Sequence, residues 1–240
     1  MGHKGADLIA PGNTFASFDA ALASGVDMIE FDVLPESSSS PRSRLILAHD
    51  YEDAGGREPH TLVEGLDHLA ASQFADVELD VDLKGPGYEL AVLEELRARD
   101  LIARTLVSTQ YLESLAVLRA AEPALRLGWS VPKLRRDPFR SRATIPAGYA
   151  ALLAYRLALP RRAAAARRGG RCDALMAQWR LVTPRLVRAV READGELYAW
   201  TVDEGPQISR LEALGVTGVI TNDPRLFAAE APCDGSCARA

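Results

Sequence analysis

The sequence predicts an α/β fold: a (β/α)8 TIM barrel with a small hairpin-like excursion after its second strand and a basic insertion after its fifth. Three observations predict it. Short apolar segments alternate with helix-like ones along nearly all of the 240 residues. Such alternation implies parallel strands joined by right-handed crossovers, and eight units closing on themselves is the economical solution. No G-x-G-x-x-G or Walker-type loop supports the competing open, doubly wound sheet. One domain over residues 1–228 and a tail over 229–240 complete the expected organisation.

The elements follow in order. Gly2–Lys4 is the first strand, and helix Phe15–Ser24 comes next, with Gly25 placed to stop it. Met28–Leu34 is the second strand. Glu36–Arg44, a polar run of serines with Pro41, reads as a turn leading to strand Leu45–His49. Helix Leu62–Ala70, strand Val77–Lys84, helix Tyr88–Arg99, strand Thr105–Ser108, helix Leu112–Ala121 and strand Leu127–Val131 continue the rhythm. Lys133–Arg171 then interrupts it as a long insertion, dense in Lys and Arg with Asp137 as its one acid. Within it, Tyr149–Leu159 is apolar and helix-prone. Strand Ala174–Gln178 precedes helix Pro184–Ala193, which Thr183-Pro184 opens as N-cap and first-turn pair. Strand Leu197–Val202, helix Pro206–Leu214 and strand Gly218–Thr221 finish the chain; Asp203-Glu204-Gly205-Pro206 opens that helix and Gly215 closes it.

Composition excludes several function classes. Lys+Arg 28 against Asp+Glu 33 gives a net charge of −5, which argues against a nucleic-acid partner. Hydrophobic content of 48% with 25% charged residues excludes wholesale disorder. No run approaches the ~18 apolar residues that span a bilayer. Met1 is followed by His3, Lys4 and Asp7 rather than by the apolar stretch of a secretory signal. Three cysteines make no disulfide framework, so the expected location is cytoplasmic, with reduced thiols. Cys233 and Cys237 read as part of a frayed end rather than a metal or redox pair.

Alternation inside two strands carries the chemistry. In Met28–Leu34, Ile29, Phe31 and Val33 share one face while Glu30 and Asp32 share the other. In Val77–Lys84 the apolar residues face the helices, so Glu78, Asp80, Asp82 and Lys84 point inward. An unpaired carboxylate inside a barrel costs several kcal/mol or protonates. Inward acids that outnumber inward bases therefore imply a cation from solution, and Glu30, Asp32 and Asp82 offer the hard oxygen ligands that Ca²⁺ and Mg²⁺ prefer. Pairing of the acids with Lys4 and Lys84 alone is the alternative. His3 and His49 fall at strand ends, on the face where barrel enzymes carry their sites. Two imidazoles supply a proton acceptor and a donor near neutral pH. His60 and His68 read as surface residues.

The ordered motifs H-K-G-A, P-G-N-T, I-E-F-D-V, L-A-H-D, D-L-K, W-T-V-D and G-V-I-T-N-D-P, running from about His3 to Leu226, resemble the glycerophosphodiester phosphodiesterase family. The resemblance implies a TIM-barrel hydrolase that uses a divalent metal, Ca²⁺ or Mg²⁺, on a small-molecule glycerophosphodiester and releases glycerol 3-phosphate and an alcohol. It implies His3 and His49 as the acid/base pair, Glu30, Asp32 and Asp82 as metal ligands, and Lys4, Lys84 and Trp200 against the substrate. Three departures stand out. Lys4 replaces the family's usual arginine, Gly12 replaces the glutamate of Glu-Asn-Thr, and Asp82 shortens the glutamate of Glu-x-Lys. The Asp-Leu-Lys form is similar to the related sphingomyelinase D branch. A lysophospholipase D or sphingomyelinase D-like lipid phosphodiesterase and a non-catalytic phosphodiester-binding barrel are the alternative functions. The nucleophile is either water or the glycerol's own hydroxyl. The basic insertion is expected on the catalytic side, either as a solvated helix pair or in weak association with an anionic membrane surface.

Overall fold

The structure, a computed structural model, describes residues 1–132 and 145–228. Its core is one sheet in the order β2-β1-β3-β4-β5-β6-β7-β8. The strands are β1 (Met28–Ser37), β2 (Ser40–Leu47), β3 (Glu78–Leu83), β4 (Thr105–Thr109), β5 (Arg126–Val131), β6 (Ala174–Gln178), β7 (Glu196–Trp200) and β8 (Gly218–Val219). All neighbours pair in parallel except β1 with β2. Gly2 joins the two free sides of the ring, bridging Ile29 on one side and Thr221 on the other. Its N–H donates to Met28 O (2.9 Å), its carbonyl accepts from Glu30 N (2.9 Å), and His3 N–H donates to Thr221 O (2.8 Å). This is the expected (β/α)8 TIM barrel.

The expected first strand, Gly2–Lys4, is reduced to that single bridge. Lys4 (φ 49°) and Gly5 (φ 86°) turn the chain left-handed and take it out of the sheet at once. A Cβ on Gly2 would strike Gly5 O and lie 3.3 Å from Ala21 Cβ, so only glycine fits the seam. The expected polar turn over Glu36–Arg44 is also shorter than its composition suggests. β1 runs to Ser37, which pairs with Ser40, and Arg44 donates to Glu36 across the hairpin at 2.6 Å. Paired backbone groups keep this serine-rich ribbon extended beyond the barrel.

Helices α1 (Phe15–Ala23), α2 (Tyr51–Gly55), α3 (Leu62–Leu69), α4 (Glu89–Ala98), α5 (Leu112–Ala121), α6 (Ile145–Arg168), α7 (Pro184–Arg191), α8 (Gly205–Leu214) and α9 (Arg225–Ala228) connect and flank the strands. Their starts are capped locally: Thr14 Oγ1 accepts from Ser17 N, Thr183 Oγ1 from Leu186 N, and Thr61 shares a capping box with Glu64. Asp203 does not cap α8, whose N-cap is Glu204, because its carboxylate is engaged elsewhere. Much of the expected insertion is the barrel's own sixth helix. α6 buries Leu159, Ala163 and Ala166, so small apolar residues seat it on the wall. The stretch at 133–144 and the tail with Cys233 and Cys237 lie outside the described residues.

Apolar residues of alternate strand positions, among them Ile29, Phe31, Val81 and Leu127, fill the layer between barrel and helices. Phe18 of α1 meets Phe31 there at 5.7 Å between ring centroids. The barrel interior has three levels. At the bottom, Arg126 donates to Glu78 (2.8 Å) and Glu196 (2.9 Å). Met28, Leu106, Met176, Tyr198 and Ile220 form an apolar middle. Above them the strand ends are polar. His60 and His68 are half-buried rather than free on the surface, stacking on the two sides of Phe15 at 3.9 and 4.5 Å.

Candidate active site

The parallel register of β1 and β3 sets Glu30 beside Asp80 and Asp32 beside Asp82. Because alternate residues share a face, all four acids arrive on the inside at the C-terminal ends of the strands. Oxygens of Glu30, Asp32 and Asp82 lie within 4.8 Å of one another. Lys84, one residue past β3, brings its Nζ to 2.5 Å from Asp32 Oδ1 and 2.6 Å from Asp82 Oδ2. Asn13 braces the set from below: its Nδ2 donates to Asp32 Oδ2 (2.9 Å), and its Oδ1 accepts from Asp32 N (3.0 Å). Asn13 is fully buried and sits at φ 58°, a conformation asparagine tolerates better than most residues.

Their surroundings push the ionisation of these acids in different directions. Burial, and then the neighbouring Asp32, push the Glu30 carboxyl well above its ordinary range, although Lys4 N–H donates to Oε2 at 2.8 Å. Burial and then Asp82 do the same to Asp80, whose Oδ1 has no hydrogen-bond partner among the described residues. Burial would raise Asp32 as well, but Lys84 and the two histidines hold it well below the usual range. For Lys84 the order is the same with opposite sign: burial opposes its charge, and Asp32 with Asp82 outweigh burial and raise it. Three convergent carboxylates, the ionisation of one of them opposed by burial and its neighbours, are a donor set that fits a hard divalent cation. Glu30, Asp32 and Asp82 would hold it.

The two imidazoles line the same cavity as this acidic floor. His3 Nδ1 lies 2.6 Å from Asn222 Oδ1, and His3 Nε2 is 3.9 Å from Glu30 Oε2. Asn222 is itself fixed: its Nδ2 donates to Asp203 Oδ2 and its N–H to Asp203 Oδ1, both at 2.8 Å. With the amide hydrogens turned to Asp203, the carbonyl oxygen must face His3, so Nδ1 carries the hydrogen and Nε2 keeps its lone pair. Burial lowers the His3 pKa below its ordinary value. His49 stands on the rim, half exposed, with Nδ1 3.0 Å from Asp50 Oδ2. Its backbone N–H donates to Asp53, which Arg57 grips at 2.9 and 3.0 Å.

His3, His49, Glu30, Asp82, Lys84 and Trp200 line one cavity of about 170 Å³, with Asp80, Ser108 and Gln110 beside them. Asp32 lies beneath the cavity rather than on its wall. Lys4 is not brought into it. Its ammonium is held by Asp7 at 3.0 Å, and Asp7 also accepts from Gly12 N (2.8 Å). A Cβ on Gly12 would lie 2.6 Å from Asp7 Oδ1 and 2.8 Å from Lys4 Cβ, so glycine at 12 and the Lys4–Asp7 pair form one arrangement. The carboxylate absent at position 12 is thus answered by Asp7. Sequence reasoning passed over Asp7, Asn13, Asp203 and Asn222. The last two stand inside W-T-V-D and T-N-D-P, where polar residues close behind apolar strand segments were the available signal.

Residues 89–226 match the profile of the glycerophosphoryl diester phosphodiesterase family, more than half of the chain. The chain belongs to that family. It is 28% identical, over 94% of its length and 70% of the relative's, to a glycerophosphodiester phosphodiesterase of Arabidopsis thaliana. To one from Caldanaerobacter subterraneus it is 22% identical over 93% of both chains. Among solved structures, an Oleispira antarctica phosphodiesterase in complex with the product sn-glycerol-3-phosphate superposes with a TM-score of 0.69 at 19% identity, covering 95% of this chain and 94% of the other. That likeness shows the shared fold. The family match spans β4 to β8, and the curated relatives extend it over nearly the whole chain.

Proposed function

We propose that this family member hydrolyses glycerophosphodiesters to glycerol 3-phosphate and an alcohol, with Ca²⁺ or Mg²⁺ held by Glu30, Asp32 and Asp82. The observation that carries the reading is the meeting of His3 and His49 over that carboxylate set in one cavity. A bound divalent cation supplies Lewis-acid charge that neutralises the phosphate's oxygens. The chain's own groups do the rest. Lys84 adds a second positive charge at the cavity floor, and Trp200, half-buried at the end of β7, forms an aromatic wall for the glycerol moiety. His3, neutral and with Nε2 free, accepts the proton of the attacking hydroxyl, from water or from the glycerol itself. An O–P bond forms while the bond from phosphorus to the departing alcohol breaks; where the glycerol hydroxyl attacks, the product is a cyclic phosphate that a water molecule then opens to glycerol 3-phosphate. His49, entering the step in its protonated form, gives its proton to that alcohol oxygen.

Lys4 takes no part in this scheme, because Asp7 holds its ammonium away from the cavity. The test is hydrolysis of glycerophosphocholine and glycerophosphoethanolamine with each metal and then with EDTA. His3→Ala and His49→Ala are each expected to lower turnover by at least ~10²-fold, the scale of a lost proton-transfer group. Near-normal rates in either variant would remove that histidine from the scheme. No hydrolysis of any diester with either metal would favour a binding barrel instead.

A further inference from the structure

Away from the cavity, the outer wall carries a second concentration of charge. A groove of about 370 Å³ between α6 and α7 is lined by Arg161 and Arg168 of α6 and by Arg185 and Arg188 of α7, with Glu192 as its one acid. None of the four guanidiniums meets a carboxylate among the described residues. Some arginines elsewhere are paired with acids, as Arg44 is with Glu36, Arg97 with Glu122 and Arg99 with Glu95; here four unpaired ones share a single groove. Four like charges gathered against a single acid repel one another, and an anionic partner relieves that repulsion.

The groove is one end of a longer face. α6 has 24 residues against 8 in α7, about 36 Å of helix at ~1.5 Å per residue. At about 3.6 residues per turn, Leu153, Leu157, Arg161 and Arg168 fall on one side of it. Leu153 and Leu157 are 58% and 57% exposed, among the most exposed large apolar side chains in the described residues. A free phosphate or a soluble polyanion would use the arginines and leave these leucines unexplained. A bilayer surface uses both, with headgroup phosphates on the guanidiniums and leucines at the acyl boundary.

We propose that the α6–α7 face is a docking surface for membranes rich in anionic phospholipid headgroups. The test is co-sedimentation of the intact chain with vesicles of phosphatidylcholine containing phosphatidylglycerol, against phosphatidylcholine alone, at low and high salt. Binding is expected to the anionic vesicles only and to be lost at high salt, where such attraction is screened. Arg161→Glu with Arg185→Glu is expected to weaken binding at least roughly tenfold, and the milder Arg161→Gln with Arg185→Gln to weaken it in the same direction. Leu153→Ser with Leu157→Ser is expected to weaken it by a similar factor. Hydrolysis of a water-soluble diester should stay unchanged in every variant, which separates this surface from the cavity. Absence of binding to anionic vesicles at low salt, or binding indifferent to both arginine pairs, overturns the proposal. Retention by heparin with no effect of the leucine changes overturns it in favour of a soluble polyanion.

Discussion

Asn222 is the residue on which the state of His3 turns. It donates twice to Asp203 and leaves only a carbonyl oxygen for the imidazole, a chain that links residues 219 positions apart at one end. Asn222→Ala is expected to lower kcat by about 10–100-fold with KM little changed, the usual scale for losing an outer partner of a site residue. A KM rise with unchanged kcat would mean that the residue only shapes the pocket. The pH dependence has a definite sign. Burial lowers the His3 pKa, so its proton-accepting form persists into acid, and the acid limb of kcat/KM is expected below the ordinary imidazole value of about 6.5. Stability follows the same direction: the part due to burying neutral His3 is intact above ~6.5 and is lost as pH falls through the lowered value. A limb above 6.5 in the pH–rate profile contradicts this. The alternation that placed Glu30, Asp32, Asp82 and Lys84 was legible because a strand repeats every second residue. The Asp203–Asn222–His3 chain was not, because it exists only once the last strand lies against the first.

At the scale of the element, local chemistry explains what could be read. The helix start marked by Thr183 is where the sequence places it, and Thr61 caps α3 in the same way, since a hydroxyl and the amide it caps are only three residues apart. Thr61→Ala is expected to cost about 1 kcal/mol of stability, seen as a lower Tm with unaltered kinetics, because α3 lies outside the cavity. Asp203 carries the same signal and is drawn away from α8 by Thr221 and Asn222, so tertiary hydrogen bonds override the local preference. α6 was harder to read, because alanines that seat a helix on a wall and arginines that face water look alike in composition. The first half of β2, before Leu45, and the far end of β1 were hidden by serines, whose turn preference gives way to the ladder between them.

For the whole molecule, the acidic upper level of the barrel is a standing electrostatic demand. Glu30 and Asp80 are pushed toward the neutral form because burial and their neighbours oppose their ionisation. A divalent cation that binds the folded chain and not the unfolded one raises stability by mass action, about 2.7 kcal/mol at a hundred times its dissociation constant. Ca²⁺ or Mg²⁺ is therefore expected to raise Tm in a concentration-dependent way, and Asp82→Asn to diminish that rise. A Tm indifferent to both ions would argue for the alternative that the sequence left open, pairing of the acids with Lys4 and Lys84 alone, of which Lys84 makes its pairs with Asp32 and Asp82. Fold class was legible from alternation over the whole chain, but the closing step was not, since a single glycine does it.

That closing step has a kinetic corollary. The ring is shut by one residue, and the next residue in the chain is His3. The backbone hydrogen bonds of this seam all come from one short segment, Met1 to Leu8, at the start of the chain, so fraying there should require less denaturant than melting the helices. Turnover is then expected to vanish at urea concentrations where far-ultraviolet dichroism is still native, inactivation running ahead of collapse because the hinge of the ring and its reactive imidazole are neighbours.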